Sequence, residues 1–201
     1  MRFPPLLPHP RRVPLQDQLA RHPEWLSPWS GRFFRFQTLS YPSARDILSG
    51  TGAKLRGGRW NPPGLAALYG SPTDTVALEE AKANDRYYGL ATTTPRLVVA
   101  IEATVARLLD LTAPAVVAGL GLPWPELADE DWRRRLEAGE ESLSQALGCA
   151  AACSGAAGLI APSAAVPGAL TIVVFPPLGR RGRLEVLEAG VLRRITSAHS
   201  A

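Results

Sequence analysis

The sequence predicts an α+β domain with a mixed β-sheet core flanked by helices. Three observations lead there. Short runs such as "RLVVAIEAT" (96–104), "GLIAP" (158–162) and "LTIVVFP" (170–176) have the length and β-branched content of strands. Among and before them lie helical stretches, one opening on Ser71, Pro72, Thr73 and Asp74, a strong helix-start signal. The two kinds of segment mix without the regular alternation of a doubly wound sheet.

In chain order, residues 1–31 hold prolines at 4, 5, 8, 10, 14, 23 and 28 together with Trp25 and Trp29. They read as an irregular arm lying on the domain, with a short helix near "LQDQLARH". The domain proper is expected over 32–201. "RFFRFQT" (32–38) reads as a strand, "PSARDIL" (42–48) as a short helix and "LAALYGS" (65–71) as a strand. "SPTDTVALEEAKANDRYYG" is a helix ending at Gly89. The strand 96–104 is followed by a second short one through "ARLLDLT". Helical stretches are expected in "PAVVAGLG" and from about Asp129 to Cys153. The strands 158–162 and 170–176 follow, then "RLEVLE" (183–188), with a last one available at 191–195. No internal repeat and no inter-domain linker is visible.

Composition excludes several function classes. The 201 residues carry a net charge of +4, yet only Lys54 and Lys82 of the 22 cations are lysines. The arginines are scattered, which fits solvated faces as well as a nucleic-acid footprint. The three histidines, His9, His22 and His199, all fall in terminal segments, which argues against a Ser-His or Cys-His pair or a histidine-ligated metal. Neither G-x-G-x-x-G nor a phosphate-binding loop with GK[ST] occurs. Cys149 and Cys153 are four apart and read as structural thiols buried on one helix face, with no second pair to complete a zinc site, so no metal is expected. No apolar run approaches the roughly 20 residues of a membrane helix. The opening "MRFPPLLPHPRRVP" has too many prolines for a signal peptide, and a cytoplasmic protein is expected.

Four segments could carry chemistry. On the helix after Thr73, at about 100° per residue, Val76, Ala77, Ala81, Ala83, Tyr87 and Tyr88 share an apolar sector with Glu80 in its middle. Glu79 lies to the side, toward Lys82 and Arg86. A carboxylate on a buried face is costly unless it is paired or works in a cleft; the pattern leaves both readings open for Glu80. In the loop "GGRWNPPG", Gly57 and Gly58 permit unusual backbone conformations and Pro62 and Pro63 stiffen the exit. Arg59 has a fork suited to phosphate or carboxylate. Trp60 either plugs the core or offers a stacking face, Asn61 offers an amide, and Tyr69 ends the next strand where a ring could cover a flat ligand. In "LIAPSAAVPG", Ser163 sits just past a strand end; without a histidine base it is a hydrogen-bond donor rather than a nucleophile. Arg35, inside "FFRF", is either stacked in the core or aimed into a site.

These residues carry a resemblance. "RFFRF", "SGTGAKLRGGRWNPPGLAALYGSPTDTVALEEA", "ESLSQALG" and "GLIAPSAAVPGALTIVVFP" resemble, in the same order, segments of the RES domain, over roughly residues 32–188. The family is named for an arginine, a glutamate and a serine, and includes toxins of toxin–antitoxin pairs. The resemblance implies a fold like that of ADP-ribosyltransferase toxins. It also implies an activity that consumes NAD by phosphorolysis or hydrolysis, or that transfers ADP-ribose to a protein. Arg59 and Arg35 match the family's arginine positions, Tyr69 the tyrosine ten residues after the loop arginine, Glu80 the glutamate and Ser163 the serine. The proline-rich arm before residue 32 has no counterpart in the family core.

The resemblance implies roles for these residues. Glu80 would stabilise an oxocarbenium-like ribose or hold its 2′-hydroxyl. Arg59 and Arg35 would clamp the pyrophosphate or an incoming phosphate, while Tyr69 stacks on a ring and Ser163 donates to the nicotinamide amide or its ribose. Trp60 and Asn61 are further substrate-binding candidates. NAD enters as substrate rather than cofactor, with inorganic phosphate as a co-substrate. The implied partner is a separate helix-turn-helix antitoxin, through which alone nucleic acid would be met; self-association stays open. Two readings of other classes stand beside this one. One is a nucleic-acid module using the arginines with Trp25, Trp29, Trp60, Trp124 and Trp132; the other is a non-catalytic interaction protein.

Overall fold

The computed structural model describes residues 6–39, 41–89 and 96–188. Six strands form one sheet: β1 (Leu26–Thr38), β2 (Leu68–Gly70), β3 (Arg96–Asp110), β4 (Gly158–Pro162), β5 (Leu170–Val174) and β6 (Gly182–Val186). Their order is β1-β3-β4-β5-β2, with β6 paired to β3. Only β3 and β4 run parallel, so the sheet is mixed as expected. Its two ends meet, because Phe34 and Ser71 exchange backbone hydrogen bonds of 2.8 and 2.9 Å and join β1 to the end of β2.

Side-chain alternation along the strands feeds two cores. Phe33, Leu68, Val99, Ile101, Ile160, Ile172 and Val174 fill one. Leu159, Val173 and Phe175 enter the other, with Leu15, Leu19, Trp60 and Leu147. The second core is covered by α1 (Arg12–Arg21) and by α8 (Leu143–Cys153). Between them in the chain lie α2 (Ala44–Leu48), α3 (Thr51–Arg56), α4 (Asp74–Tyr87), α5 (Pro114–Gly119), α6 (Trp124–Asp129) and α7 (Trp132–Glu137). Ser142 and Gln145 close a capping box on α8, satisfying donors that would otherwise be orphaned in the interior. Small residues let α8 approach closely. A Cβ on Gly148 would stand 1.8 Å from the Trp60 carbonyl oxygen, so this helix pins the "GGRWN" loop from behind.

Several sequence expectations need correcting. Residues 26–31, expected in an irregular arm, are the first half of β1, and Leu15 and Leu19 of the same segment are fully buried. The two strands expected over 96–112 are one 15-residue strand, because β1 pairs with it from Leu26↔Leu109 to Thr38↔Arg96. The helix expected from Asp129 to Cys153 breaks at Gly139, whose φ of +77° ends α7 and frees the chain to start α8. The short helices α3 and α6 were not anticipated. Tyr87 and Tyr88, assigned to the apolar sector of α4, are exposed and pack with the Arg133 guanidinium, which lies 4.4 Å from the Tyr87 ring centroid and 4.4 Å from that of Trp132. Cys153 is also exposed, since the last turn of α8 reaches the surface, whereas Cys149 is half-buried. The strand expected at 191–195 lies outside the described residues.

Candidate active site

The loop between α3 and β2 is held by a closed set of hydrogen bonds. Gly57 ends α3 with φ of +75°, a conformation that favours glycine. The Gly58 N–H donates to the Asn61 carbonyl at 2.8 Å, making a tight turn with Arg59 and Trp60 at its tip. From β2, the Tyr69 hydroxyl accepts from the Trp60 N–H at 2.9 Å and donates to Asn61 Oδ1 at 2.7 Å. The Asn61 amide donates to the carbonyls of Ala53 and Leu65 at 2.9 and 2.8 Å. From α8, Gln145 Nε2 donates to the Gly58 carbonyl at 3.0 Å.

This assigns three of the predicted residues. Trp60, 3% exposed, is the core plug and has no free stacking face. Asn61, fully buried, spends its amide on the loop and offers none to a ligand. The Tyr69 ring is half-buried, and burial holds its phenol well above the ordinary range, so it stays a protonated donor. Tyr69→Phe is expected to cost about 2–4 kcal/mol, because the Trp60 N–H and Asn61 Oδ1 would both be left buried without a partner. A denaturant midpoint checks this. A pure stacking platform would tolerate phenylalanine without loss.

Arg59 extends from the turn, and its Nη1 donates to the Leu127 carbonyl at 3.1 Å in the last turn of α6. Burial pulls its pKa down; Glu130 and then Glu80 pull the other way, and Arg133 adds to the depression. Glu80 is near enough to contribute, less than Glu130 does, and no ion pair joins it to Arg59 among the described residues.

Glu80 lies on the half-buried face of α4, whose N-terminus is capped by Thr73. Glu79 points away and pairs with Lys82 at 2.8 Å. Two hydroxyls converge on one oxygen of Glu80: Ser163 Oγ donates to Oε1 at 2.5 Å and Thr171 Oγ1 donates to the same atom at 3.1 Å. The second oxygen, Oε2, accepts nothing among the described residues. Ser163 Oγ also accepts from the N–H groups of Ala165 and Val166 at 3.2 and 3.1 Å. A hydroxyl has one proton and two lone pairs, so Ser163 is saturated. Its proton goes to Glu80, a contact with which the expected bond to the nicotinamide or its ribose would compete. Thr171 escaped the sequence reading, because a threonine inside "LTIVVF" looks like ordinary strand composition.

Arg35 stands on β1 opposite Val99, on the same face as Phe33. Burial pushes its pKa down to about 10, and no carboxylate pairs with it among the described residues. Its Nε is buried without a hydrogen-bond partner among the described residues, as are the Nε atoms of Arg107 and Arg133. The buried Ser71 hydroxyl, next to the Phe34 bridge, likewise has none among the described residues. Unpartnered buried polar atoms are few in native proteins, and each calls for an explanation, a bound ligand or ordered water among them. A separate cleft of about 560 Å³, lined by His9, Glu130, Arg134, Arg135 and Leu143 among others, does not include these residues. Its Glu130 carboxylate is already spent on the first N–H groups of α8, at 2.8 and 3.1 Å.

The model of the RES domain family matches residues 32–191. The chain is 29% identical over 168 residues to the NAD(+) phosphorylase MbcT of Mycobacterium bovis and of Mycobacterium tuberculosis, across 80% of this chain and 82% of the relative. The M. tuberculosis MbcT–MbcA toxin–antitoxin complex has the same fold, with a TM-score of 0.62 and 24% identity over 90% of this chain and 97% of the other.

Proposed function

This chain belongs to the RES domain family, and from that premise we propose that it is a toxin that consumes NAD, breaking the nicotinamide–ribose bond with inorganic phosphate as acceptor. The observation that carries the reading is the half-buried Glu80 carboxylate. One of its oxygens is held by two hydroxyls and the other accepts nothing among the described residues. The phosphorylase activity named for the mycobacterial relatives supports phosphate as the acceptor.

The chemistry balances without a metal or a histidine. The bond between ribose C1′ and the nicotinamide nitrogen breaks, and its electron pair neutralises the pyridinium, so the leaving group needs no proton. Positive charge grows on C1′ and the ring oxygen. Glu80, through Oε2, stabilises that charge in a site where fixed groups need no reorganisation. A phosphate oxygen then bonds to C1′, giving ADP-ribose 1-phosphate and nicotinamide. Arg59 and the unpaired Arg35 supply charge-assisted donors for the pyrophosphate or the phosphate. In this reading Trp60, Asn61 and Tyr69 act by holding the loop that presents Arg59.

The partner is a separate antitoxin protein, a reading supported by the complex in which the M. tuberculosis relative was solved. We assign it to the helix-turn-helix type, acting in the cytoplasm. No helix of the described residues is long and apolar enough to cross a membrane.

Purified protein with NAD is expected to release nicotinamide at a rate that rises with inorganic phosphate until the phosphate site saturates. Release independent of phosphate would replace phosphorolysis by hydrolysis. No release in either condition, with label from NAD appearing on a protein of a cell extract, would turn the reading to protein ADP-ribosylation.

A further inference from the structure

We infer that Thr171 is a positioning residue that sets the plane of the Glu80 carboxylate. Thr171 lies on β5 between Leu170 and Ile172, 8% exposed, on the strand face that also carries the core residue Val173. A hydroxyl on such a face costs free energy unless it is bonded, and valine would fill the same volume without that cost. Its one proton goes to Glu80 Oε1 at 3.1 Å.

The terminal torsion of a glutamate is broad, so a single donor leaves the carboxylate free to swing. Ser163 is a single donor, and it sits in a loop between Pro162 and Pro167. Thr171 supplies the second donor from a strand paired on both sides, to β4 and to β2. Two donors from two different segments, meeting on one oxygen, fix the carboxylate plane and so aim Oε2. A group mounted on a strand holds geometry more tightly than one on a loop. Thr171 does this without needing to touch the substrate.

The kinetic half of the test rests on the NAD-consuming reading; the stability half does not. Thr171→Val keeps the volume and removes the hydroxyl, while Thr171→Ser keeps the hydroxyl. Thr171→Val is expected to lower kcat for nicotinamide release about tenfold to a hundredfold, with the KM for NAD little changed. Thr171→Ser is expected to restore most of kcat. In parallel, thermal unfolding is followed for Thr171→Val in the Glu80 chain and in a Glu80→Ala chain. The valine should lower Tm only where the glutamate is present, because the effect passes through that carboxylate. Equal shifts in both backgrounds would overturn the inference, whether or not the protein turns over NAD. So would an unchanged kcat for Thr171→Val in a protein that does turn it over. A wild-type protein that releases no nicotinamide yet shows the Glu80-dependent shift would reject the proposed reaction and keep the positioning role.

Discussion

Glu80→Gln is expected to fold like the wild type and to release nicotinamide about 10²–10³-fold more slowly. Glutamine has the same shape, and its Oε1 can still accept from Ser163 and Thr171, so the local hydrogen bonds survive. What changes is the second atom: Oε2 becomes an NH₂ group with no negative charge to offer a developing oxocarbenium ion. The loss should therefore fall on kcat rather than on KM, since the neutral side chain matches the ground state nearly as well as the transition state. Steady-state kinetics with NAD and phosphate, beside a thermal melt, make the test. A variant that melts normally and keeps its turnover would remove Glu80 from the chemistry. Glu79→Gln is the matched control: its partner is Lys82 on the solvent side of α4, and full activity is expected.

The apolar sector expected around Glu80 was not borne out: of its residues only Ala77 is buried. The divergence of the adjacent glutamates was legible in the sequence, because helical periodicity separates them by about 100°. The strands β4, β5 and β6 were legible for a similar reason. Each is a short apolar or alternating run bounded by proline or glycine. The loop was legible as a special conformation through Gly57 and Gly58, but the roles of its side chains were not. Whether Trp60 faces a ligand or the core depends on what packs behind it, and that is α8, more than 80 residues further on, approaching through Gly148. Thr171 was hidden for the same reason. Its hydroxyl matters only because α4, some 90 residues earlier in the chain, brings Glu80 over β5. The unity of β3 was hidden because the reading ended one strand at Thr104 and began another at Ala106, although Glu102 and Thr104 already followed the alternation that continues through Ala106. Those two residues are the natural outer face of a long strand, and its pairing with β1 reveals its length.

Arg35→Met is expected to make the ligand-free protein more stable and the enzyme much weaker. The Arg35 side chain is half-buried, with its Nε wholly covered, and holding the guanidinium there without a carboxylate carries a desolvation cost that pushes its pKa down to about 10. The group stays charged at neutral pH, so the fold bears that cost there. For a cation whose folded pKa lies below its unfolded value, the unfolded chain binds the proton more tightly. The penalty is therefore fully present below the folded value and is relieved as pH rises through about 10 and beyond. Replacing this half-buried charge by an apolar side chain of similar length should add stability at neutral pH, at the low end of the about 1–4 kcal/mol seen for fully buried groups. The same charge is what an anion would pair with. Pyrophosphate, phosphate or NAD should raise the Tm of the wild type and have little effect on the Tm of Arg35→Met. The KM for NAD should rise by roughly one to three orders of magnitude as a charge-assisted contact is lost. A variant that is both less stable and fully active would mean that Arg35 is a packing residue whose buried Nε is satisfied by ordered water. The combination of higher stability and lost anion response has a single physical source: a site held in an unfavourable electrostatic state until its ligand arrives. Selection for turnover rather than for stability retains such a residue.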